Sequence, residues 1–214
     1  MIQNWFSIRW HAPILCRMRR ITTYRLMMTP PTIETEHLIL RPFQADDAED
    51  YSTAVLSNAV TAQALPTGKP VPPQRARSII AGYEDHWDEF GYGLLAVIHR
   101  EDDMLIGHCG LQKLGDTDNV ELTYAIKQPY VAGDLPLEAT YACLRYAFGT
   151  LHLEEVFAVI LPENGIARRI YTRLGMRPGP TLHVYNHHVP SYKIFHGDFL
   201  PDNSPYHVRG ANSP

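Results

Sequence analysis

The stretch from residue 162 to residue 176 constrains this chain of 214 residues more than any other. It carries Asn164, then Tyr171 seven residues later, and it ends on Gly175 and Met176. A spacing of seven puts two side chains on one helical face, two turns apart and about 10 Å along the axis. The pattern therefore predicts a helix with an amide at its entrance and a phenol two turns on, placed to hold two parts of one long ligand.

Each of these residues also has an ordinary structural explanation. Asn164 can cap the helix, Tyr171 can be half-buried core, and Gly175 can be the glycine that often follows a helix. The pattern alone does not decide between ligand binding and structure.

Strand-like and helix-like segments alternate from Ile33 onward. Alternation, apolar runs and turn residues predict strands at residues 37–41, 94–99, 105–111, 120–126, 156–160, 183–185 and 191–195. Acidic first turns, an apolar stripe and a proline suited to a first helical turn predict helices that begin near Asp46, Ala76, Pro136 and Asn164. The last two strands are expected to close the domain as a hairpin pair. The order predicts an α/β fold of the α+β type.

Charge is unevenly distributed along the chain. Residues 1–33 contain five arginines and no Lys, Asp or Glu, whereas the whole chain has a formal net charge of −4. The remaining chain is therefore acidic, which disfavours nucleic acid as a partner and suits a cationic amine. Residues 1–32 include Pro13 and no apolar run long enough for a membrane span. We expect a disordered extension there, no membrane partner and a cytoplasmic location.

Cysteine and histidine patterns indicate neither disulfides nor a metal. Cys16, Cys109 and Cys143 form no C-x-x-C pair, and the eleven histidines show no metal-ligand spacing. Cys109 and Cys143 lie in apolar segments, so we expect them to pack in the core and not to act as nucleophiles. We predict no metal site.

Together these segments resemble the GNAT superfamily of N-acetyltransferases. Residues 164–176 are similar to that family's Asn-x-x-Ala-x-x-x-Tyr-x-x-x-Gly-Phe pattern, with Met176 in place of Phe. Segments of the branch that contains the ribosomal-protein N-terminal (serine/alanine) acetyltransferases are similar to residues 35–43, 105–111, 120–124, 138–139 and 146–148. The resemblance implies a GNAT domain over residues 33–197, with a tail over 198–214. It implies a central mixed, mostly antiparallel twisted sheet, flanked by helices, whose strand splay forms an acyl-CoA cleft.

The resemblance implies acetyl-CoA as cosubstrate, bound where the strand Val120–Ile126 splays from the strand at 156–160. Pantetheine would contact Tyr124, Ala125, Ile126, Asn164 and Ala167. The loop and helix start that would hold the pyrophosphate comprise Ala132, Gly133, Asp134, Leu135, Pro136 and Leu137. Such a helix start accepts anions through unpaired N–H groups and its positive dipole end.

This loop departs from the family's pattern. The two expected glycines fall on Ala132 and Asp134, and Gly133 is displaced by one. The Asp134 carboxylate would repel a pyrophosphate and can itself cap the helix, and Pro136 lacks an N–H. Weakened binding and a local shift of the loop that uses Gly133 are both compatible with the sequence.

Two residues are candidates for the chemistry. Glu121 is the candidate base, directly or through a water, because the family often has a Glu there. Its ordinary alternative is a solvent-facing or ion-paired strand residue. Tyr171 is the candidate acid, because a phenol is protonated at neutral pH and can donate to a thiolate. The oxyanion donor is expected to be a backbone N–H near Tyr124 or Ala125.

The sequence thus predicts an N-acetyltransferase in which a primary amine attacks acetyl-CoA directly. The amine would belong to a protein N-terminus or a small molecule. Its pocket is expected between residues 62–73, the second helix and residues 186–191. The alternative is a GNAT-fold binding or assembly module with weakened or lost catalysis and a disrupted pyrophosphate loop. Both a monomer and a homodimer suit the pattern.

Overall fold

The computed structural model describes residues 29–65, 68–161, 164–185 and 187–210. The predicted disordered extension therefore lies outside the described residues up to residue 28. The described strands are β1 (Thr32–Glu34), β2 (Leu38–Arg41), β3 (Leu94–His99), β4 (Met104–Lys113), β5 (Val120–Ile126), β6 (Glu155–Val159), β7 (Arg177–Pro178), β8 (Leu182–Val184), β9 (His187–Val189), β10 (Ser191–Phe195) and β11 (His207–Arg209).

The described α-helices are α1 (Ala48–Tyr51), α2 (Ala76–Phe90), α3 (Leu135–Gly149) and α4 (Gly165–Arg173). A π-helical turn over Ser52–Leu56 continues α1. Short 3-10 turns cover Ala45–Asp47, Thr61–Ala64, Pro73–Arg75, Tyr130–Ala132 and His196–Asp198.

The α2 helix illustrates how the sequence pattern becomes packing. Ile79, Ile80 and Trp87 recur at helical spacing, and all three are buried. The Trp87 indole N–H donates to the Leu94 carbonyl at 3.0 Å, so the helix is tied to the strand that follows it. The helix ends at Gly91, whose φ of 73° is a left-handed conformation that glycine adopts without strain.

Nine strands form one sheet in the order β11-β1-β2-β3-β4-β5-β6-β10-β7, and β8 and β9 form a separate two-stranded sheet. Every neighbouring pair in the large sheet is antiparallel except β5 and β6, which run parallel. One buried cluster packs α3 and α4 on one face, and a second packs α1 and α2 on the other. This arrangement confirms the predicted fold class.

The two parallel strands diverge almost as soon as they meet. β4 and β5 are paired over seven positions, but β5 and β6 share one paired position, Glu121 with Phe157. Beyond Glu121 the backbone of β5 therefore has no strand neighbour on its β6 side. This splay opens a cleft through the middle of the sheet.

A glycine on β4 lets the neighbouring strand approach closely beside the cleft. A Cβ added to Gly107 would lie 2.0 Å from the Ala125 carbonyl oxygen and 2.9 Å from the Ile126 Cα. No side chain fits there, because real Cβ atoms do not come so close to a backbone. Gly107 thus sets the path of β5 at the positions that line the cleft.

The C-terminal part of the chain differs from the expectation. The prediction of a hairpin formed by residues 183–185 and 191–195 is wrong: β8 pairs with β9, whereas β10 pairs with β6 and β7. The cause is that residues 187–189 supply a closer partner for β8. Within the predicted tail over 198–214, β11 pairs with β1 at the sheet edge, and Phe199 is buried.

Candidate active site

The splay between β5 and β6 opens into a cleft of about 530 Å³. Most of the described lining residues come from β4, β5, β6, α4, the Thr61–Ala64 turn and the β8–β9 hairpin, and the others lie in the loops and turns beside them. They are Val60, Thr61, Gln63, Ala64, Leu65, Gly68, Gln112, Glu121, Thr123, Tyr124, Ala125, Ile126, Gln128, Val131, Val159, Ile160, Leu161, Asn164, Gly165, Ile166, Ala167, Tyr171, Tyr185, His187 and Val189.

The cleft gathers many of the predicted site residues and leaves others outside. Both candidate catalytic residues line it, as do Tyr124, Ala125, Ile126, Asn164 and Ala167. Residues 132–137 are not part of the lining, although Val131 next to them is. Of the predicted acceptor pocket, residues 63–65 and 68 and residues 187 and 189 line the cleft, but no described residue of α2 does.

Backbone alternation along β5 determines which polar groups face the cleft. The Lys127 N–H donates to the Ile106 carbonyl on β4 at 2.9 Å. Successive residues of a strand direct their backbone groups to opposite sides, so Ala125 also faces β4, whereas Tyr124 and Ile126 face the splay. Of the two expected oxyanion donors, the Tyr124 N–H therefore faces the cleft and the Ala125 N–H belongs to the sheet.

Glu121 is buried, and neutral donors surround its carboxylate. Its side chain is 3% exposed, which contradicts the alternative of a solvent-facing residue. Its Oε2 accepts from the Tyr185 hydroxyl at 2.6 Å and from Gln112 Nε2 at 2.9 Å. Burial raises the pKa of Glu121 above its ordinary value, and the donors Tyr185, Gln112 and the Val159 N–H partly oppose this. A carboxylate whose pKa is raised in this way suits a base that works near neutral pH.

Tyr171 reaches the splay from the opposite face of the sheet. It belongs to the buried cluster around α3 and α4, as its packing alternative expected, and its hydroxyl donates to the Leu122 carbonyl at 3.3 Å. Glu121 lies on the other face, opposite Gln112 of β4 in the strand register. Burial raises the pKa of Tyr171 well above its ordinary value, and Tyr124 and Glu121 add to the rise. Tyr171 is therefore a protonated donor at neutral pH.

Asn164 caps the start of α4, as its structural alternative expected. The Asn164 side-chain oxygen accepts from the Ala167 N–H at 3.0 Å, which is a helix cap. Asn164 also lines the cleft, so capping and ligand contact fall on one residue. Ala167 is buried beneath this cap.

The predicted pyrophosphate segment is exposed over residues 132–134, whereas Pro136 is buried, and Asp134 carries an ion pair. Gly133 has an ordinary φ of −93° and open space around it, so nothing in this structure requires a glycine there. The Asp134 side chain does not cap α3, contrary to the capping alternative. It instead accepts from Arg173 Nη1 at 2.6 Å, with side-chain exposures of 80% for Asp134 and 59% for Arg173. The N–H groups of Leu135 and Leu137 in the first turn lack intrahelical acceptors.

Three polar residues of the cleft were not anticipated from the sequence. Gln112 and Tyr185 contact Glu121, although Tyr185 is 64 positions away in the chain. The Thr61 hydroxyl lines the cleft, is buried and has no hydrogen-bond partner among the described residues. Gln112 lies opposite Glu121 in the register of β4 and β5, so the pairing of these two strands was the signal that could have found it.

Other buried polar groups are structural by their geometry. His108 is buried beside Tyr51, and the Tyr51 hydroxyl lies 2.8 Å from His108 Nδ1. Burial lowers the pKa of His108 to about 4, so it is neutral at pH 7. Cys109 and Cys143 are buried thiols with their sulfurs 3.5 Å apart, as the packing interpretation expected.

Two features are absent from the described residues. Among them, no helix is long and apolar enough to cross a membrane. Over the same ranges, no group of three or more His, Cys, Asp or Glu side chains is arranged to hold a metal ion.

Comparison with known proteins decides the family. The model of the acetyltransferase (GNAT) domain family matches residues 37–177. The chain belongs to the GNAT family. A curated relative of this GNAT chain is the uncharacterized N-acetyltransferase YnaD of Bacillus subtilis (strain 168). It is 27% identical over 146 residues, which cover 68% of this chain and 82% of the relative.

Solved structures share the GNAT fold. An acetyltransferase from Agrobacterium tumefaciens str. C58 superposes with a TM-score of 0.67 at 22% identity, over 79% of this chain and 96% of that one. A ribosomal-protein-S5-alanine acetyltransferase from Vibrio fischeri gives a TM-score of 0.62 at 14% identity, over 79% of this chain and 99% of that one. At these identities the likeness concerns the fold.

Proposed function

We propose that this GNAT protein transfers an acetyl group from acetyl-CoA to a primary amine by direct attack. The observation that carries the proposal is the pair of candidate groups at the splay: Glu121 from one face of the sheet and Tyr171 from the other, both lining one cleft. A base for the ammonium and an acid for the leaving thiolate thus lie on opposite sides of the place where the strands part.

The reaction balances with these residues. Glu121 takes a proton from the ammonium, directly or through a water, and the free amine attacks the thioester carbonyl. The N–C bond forms as the oxyanion develops against the Tyr124 N–H. As the C–S bond breaks, Tyr171 gives its proton to the thiolate. The attacking nitrogen loses its second proton as the amide forms, and that proton restores the Tyr171 hydroxyl through solvent, while Glu121 releases its own proton to water. The Leu122 carbonyl holds the Tyr171 hydroxyl only at 3.3 Å, a long hydrogen bond that a better acceptor can replace.

Acetyl-CoA would lie along the unpaired edge of β5. The Tyr124 and Ile126 backbone groups are available to its pantetheine arm, with Asn164 and Ala167 opposite. Its pyrophosphate would approach residues 132–137 at the start of α3, where the N–H groups of Leu135 and Leu137 have no intrahelical partner. The Asp134 carboxylate opposes this approach.

The acceptor amine would enter beside Glu121, between the Thr61–Ala64 turn and the β8–β9 hairpin. A protein N-terminus is one candidate, supported by the motifs shared with the ribosomal-protein acetyltransferase branch. A structural neighbour named as a ribosomal-protein-S5-alanine acetyltransferase points the same way. A small-molecule amine is the other. The orphaned Thr61 hydroxyl favours an acceptor that offers it a hydrogen bond, because a buried hydroxyl without a partner is costly.

One observation favours the second candidate function, a GNAT-fold binding module with weakened catalysis. It is the Asp134 carboxylate at the mouth of the anion site, where the family has a glycine. The buried and hydrogen-bonded Glu121 argues for the enzyme, because burying a carboxylate costs stability that a pure binding module has no need to lose.

Titration with acetyl-CoA by calorimetry, followed by an assay of CoA release over a panel of amines and peptides, tests the two candidates. The enzyme predicts binding and acceptor-dependent CoA release. Binding without release for any acceptor would favour the module, and no binding at all would remove acetyl-CoA from the proposal.

A further inference from the structure

Three side chains at the acceptor end of the cleft form a closed hydrogen-bonded triangle. The Tyr185 hydroxyl donates to Glu121 Oε2 at 2.6 Å, and Gln112 Nε2 donates to the same oxygen at 2.9 Å. Gln112 Nε2 also lies 3.1 Å from the Tyr185 hydroxyl. Two donors from different parts of the chain thus converge on one oxygen of the candidate base.

The backbone at Tyr185 is held in an unusual conformation. Its φ is 53°, in the left-handed region that a bulky residue rarely adopts. Such a conformation is energetically unfavourable and persists where the surroundings over-determine it, commonly at functional sites. Tyr185 follows β8 directly, and Val184 and Val189 on the two hairpin strands pack against Leu114 and Phe157. The hairpin is therefore anchored on the face of the sheet that carries Glu121.

We propose, building on the proposed function, that Tyr185 is a positioning residue for acetyl transfer. With Gln112 it holds the Glu121 carboxylate at the acceptor end of the cleft. It also ties that carboxylate to the β8–β9 hairpin, whose His187 and Val189 line the same cleft. An acceptor that contacts the hairpin thus meets a base already oriented by it.

The groups that face Glu121 determine the expected direction of the effect. Tyr185 faces it from the hairpin, Gln112 from β4 and the Val159 N–H from β6. Tyr171 lies on the opposite face of the sheet, where the charge of Glu121 raises the Tyr171 pKa. Tyr185 and Gln112 donate to the ionised carboxylate and stabilise it, and burial opposes them. The Tyr185 hydroxyl lowers the pKa of Glu121, and burial raises it. Without that hydroxyl the pKa should rise further, so the carboxyl should take up its proton at a higher pH.

The test is Tyr185→Phe, which keeps the ring and removes only the donor. Tyr141→Phe is the matched control, because the Tyr141 hydroxyl also donates one hydrogen bond, to the Leu200 carbonyl at 2.8 Å, away from the cleft. Two readouts are used. One is kcat against pH at saturating acceptor, and the other is infrared titration of the Glu121 carboxyl band, assigned by its loss in Glu121→Gln.

We expect Tyr185→Phe to move the acidic limb of kcat and the infrared midpoint upward by about one to two pH units, the equivalent of one hydrogen bond to a charged group. The KM for acetyl-CoA should stay unchanged. Gln112→Met should shift both readouts in the same direction, and Tyr141→Phe should shift neither.

A lower melting temperature with both pH midpoints unmoved would overturn the proposal and leave Tyr185 as a hairpin anchor. If the unsubstituted protein released no CoA with any acceptor, the proposed function would fail instead. The infrared titration, which needs no turnover, would still decide whether Tyr185 holds Glu121.

Discussion

The acceptor end of the cleft and the cofactor end are built in opposite ways. The cofactor end is the start of α3, outside the cleft lining, where we propose that the pyrophosphate binds. At the acceptor end, Glu121 is 3% exposed and is held by donors from a neighbouring strand and from a hairpin. At the cofactor end, Asp134 and Arg173 form an ion pair whose side chains are 80% and 59% exposed. One carboxylate is fixed inside the protein, and the other is exposed to solvent beside the proposed anion site.

Because of this difference, we expect the acceptor end to control the rate of the reaction and the cofactor end to modulate acetyl-CoA affinity. A buried, hydrogen-bonded carboxylate is pre-organised, and its contribution depends little on salt. An exposed pair contributes at most about 1 kcal/mol and is screened by salt. We therefore expect substitutions at the acceptor end to change the rate strongly and substitutions at the cofactor end to change acetyl-CoA affinity modestly.

Glu121→Gln removes the proposed base and should have the largest effect. General base catalysis contributes about 10²–10⁴-fold, so kcat should fall within that range while acetyl-CoA affinity stays the same. Because the base must be ionised, the unsubstituted enzyme should lose activity as pH falls through the raised pKa of Glu121, and the variant should lack this acidic limb. Steady-state rates against pH, with calorimetry for acetyl-CoA, provide the check.

The half-buried Glu155 is the matched control, because it lies on the adjacent strand, outside the cleft lining, and its carboxylate pairs with Lys193 at 3.6 Å. Glu155→Gln should change neither kcat nor its pH dependence. If Glu121→Gln retained the full rate, the base would have to be sought elsewhere in the cleft.

Gly107→Ala perturbs β5, the strand that carries Glu121 and along which we propose that acetyl-CoA binds. The added Cβ would meet the Ala125 carbonyl oxygen at 2.0 Å and push β5 away from its path beside the cleft. Forcing an extra group into packed structure typically costs about 1–3 kcal/mol, so thermal unfolding should shift several degrees downward and acetyl-CoA affinity should fall with it.

Gly133→Ala is the comparison at the cofactor end, because its Cβ would meet nothing within 4 Å. Its melting temperature should stay the same. Equal destabilisation by the two alanines would contradict the different roles assigned to these glycines.

The sequence predicted what local patterns encode. The strand Val120–Ile126 was found with its observed bounds, because its apolar run is flanked by clear turns. The helix with Asn164 and Tyr171 followed from their spacing, and both residues line the cleft. The splay itself was expected only through the family resemblance.

The features that the sequence did not predict depend on contacts between residues that are far apart in the chain. Tyr185 contacts Glu121 from 64 positions away, and no local pattern records that pairing. The error at residues 183–195 has the same origin, since three short strands there compete for partners and only the packing of Val184 and Val189 on the sheet selects among them. Gly107 looked like an ordinary strand residue because its close neighbour belongs to another strand.

Asp134→Asn should have the smallest effect and sharpens the contrast at the cofactor end. The Asp134 side chain makes no capping hydrogen bond to α3, so the substitution should preserve the helix start while it removes the charge. One exposed charge at a helix N-terminus matters by about 0.3–1 kcal/mol, and Asp134 and the pyrophosphate are both negative. Acetyl-CoA should therefore bind about two- to fivefold more tightly at low salt, and less so at high salt. Arg173, which would lose its ion-pair partner Asp134, would also be available to contact the phosphates of acetyl-CoA.

Asp198→Asn controls for net charge, because Asp198 is also exposed and lies 3.9 Å from an arginine, Arg177. Calorimetric titration at two ionic strengths should show tightening for Asp134→Asn alone. The same gain in both variants would mean that overall charge, and not the position of Asp134 at the start of α3, limits acetyl-CoA binding. Weaker binding in Asp134→Asn would mean that the ion pair with Arg173 orders the anion site, which would reverse the role that we assign to this carboxylate.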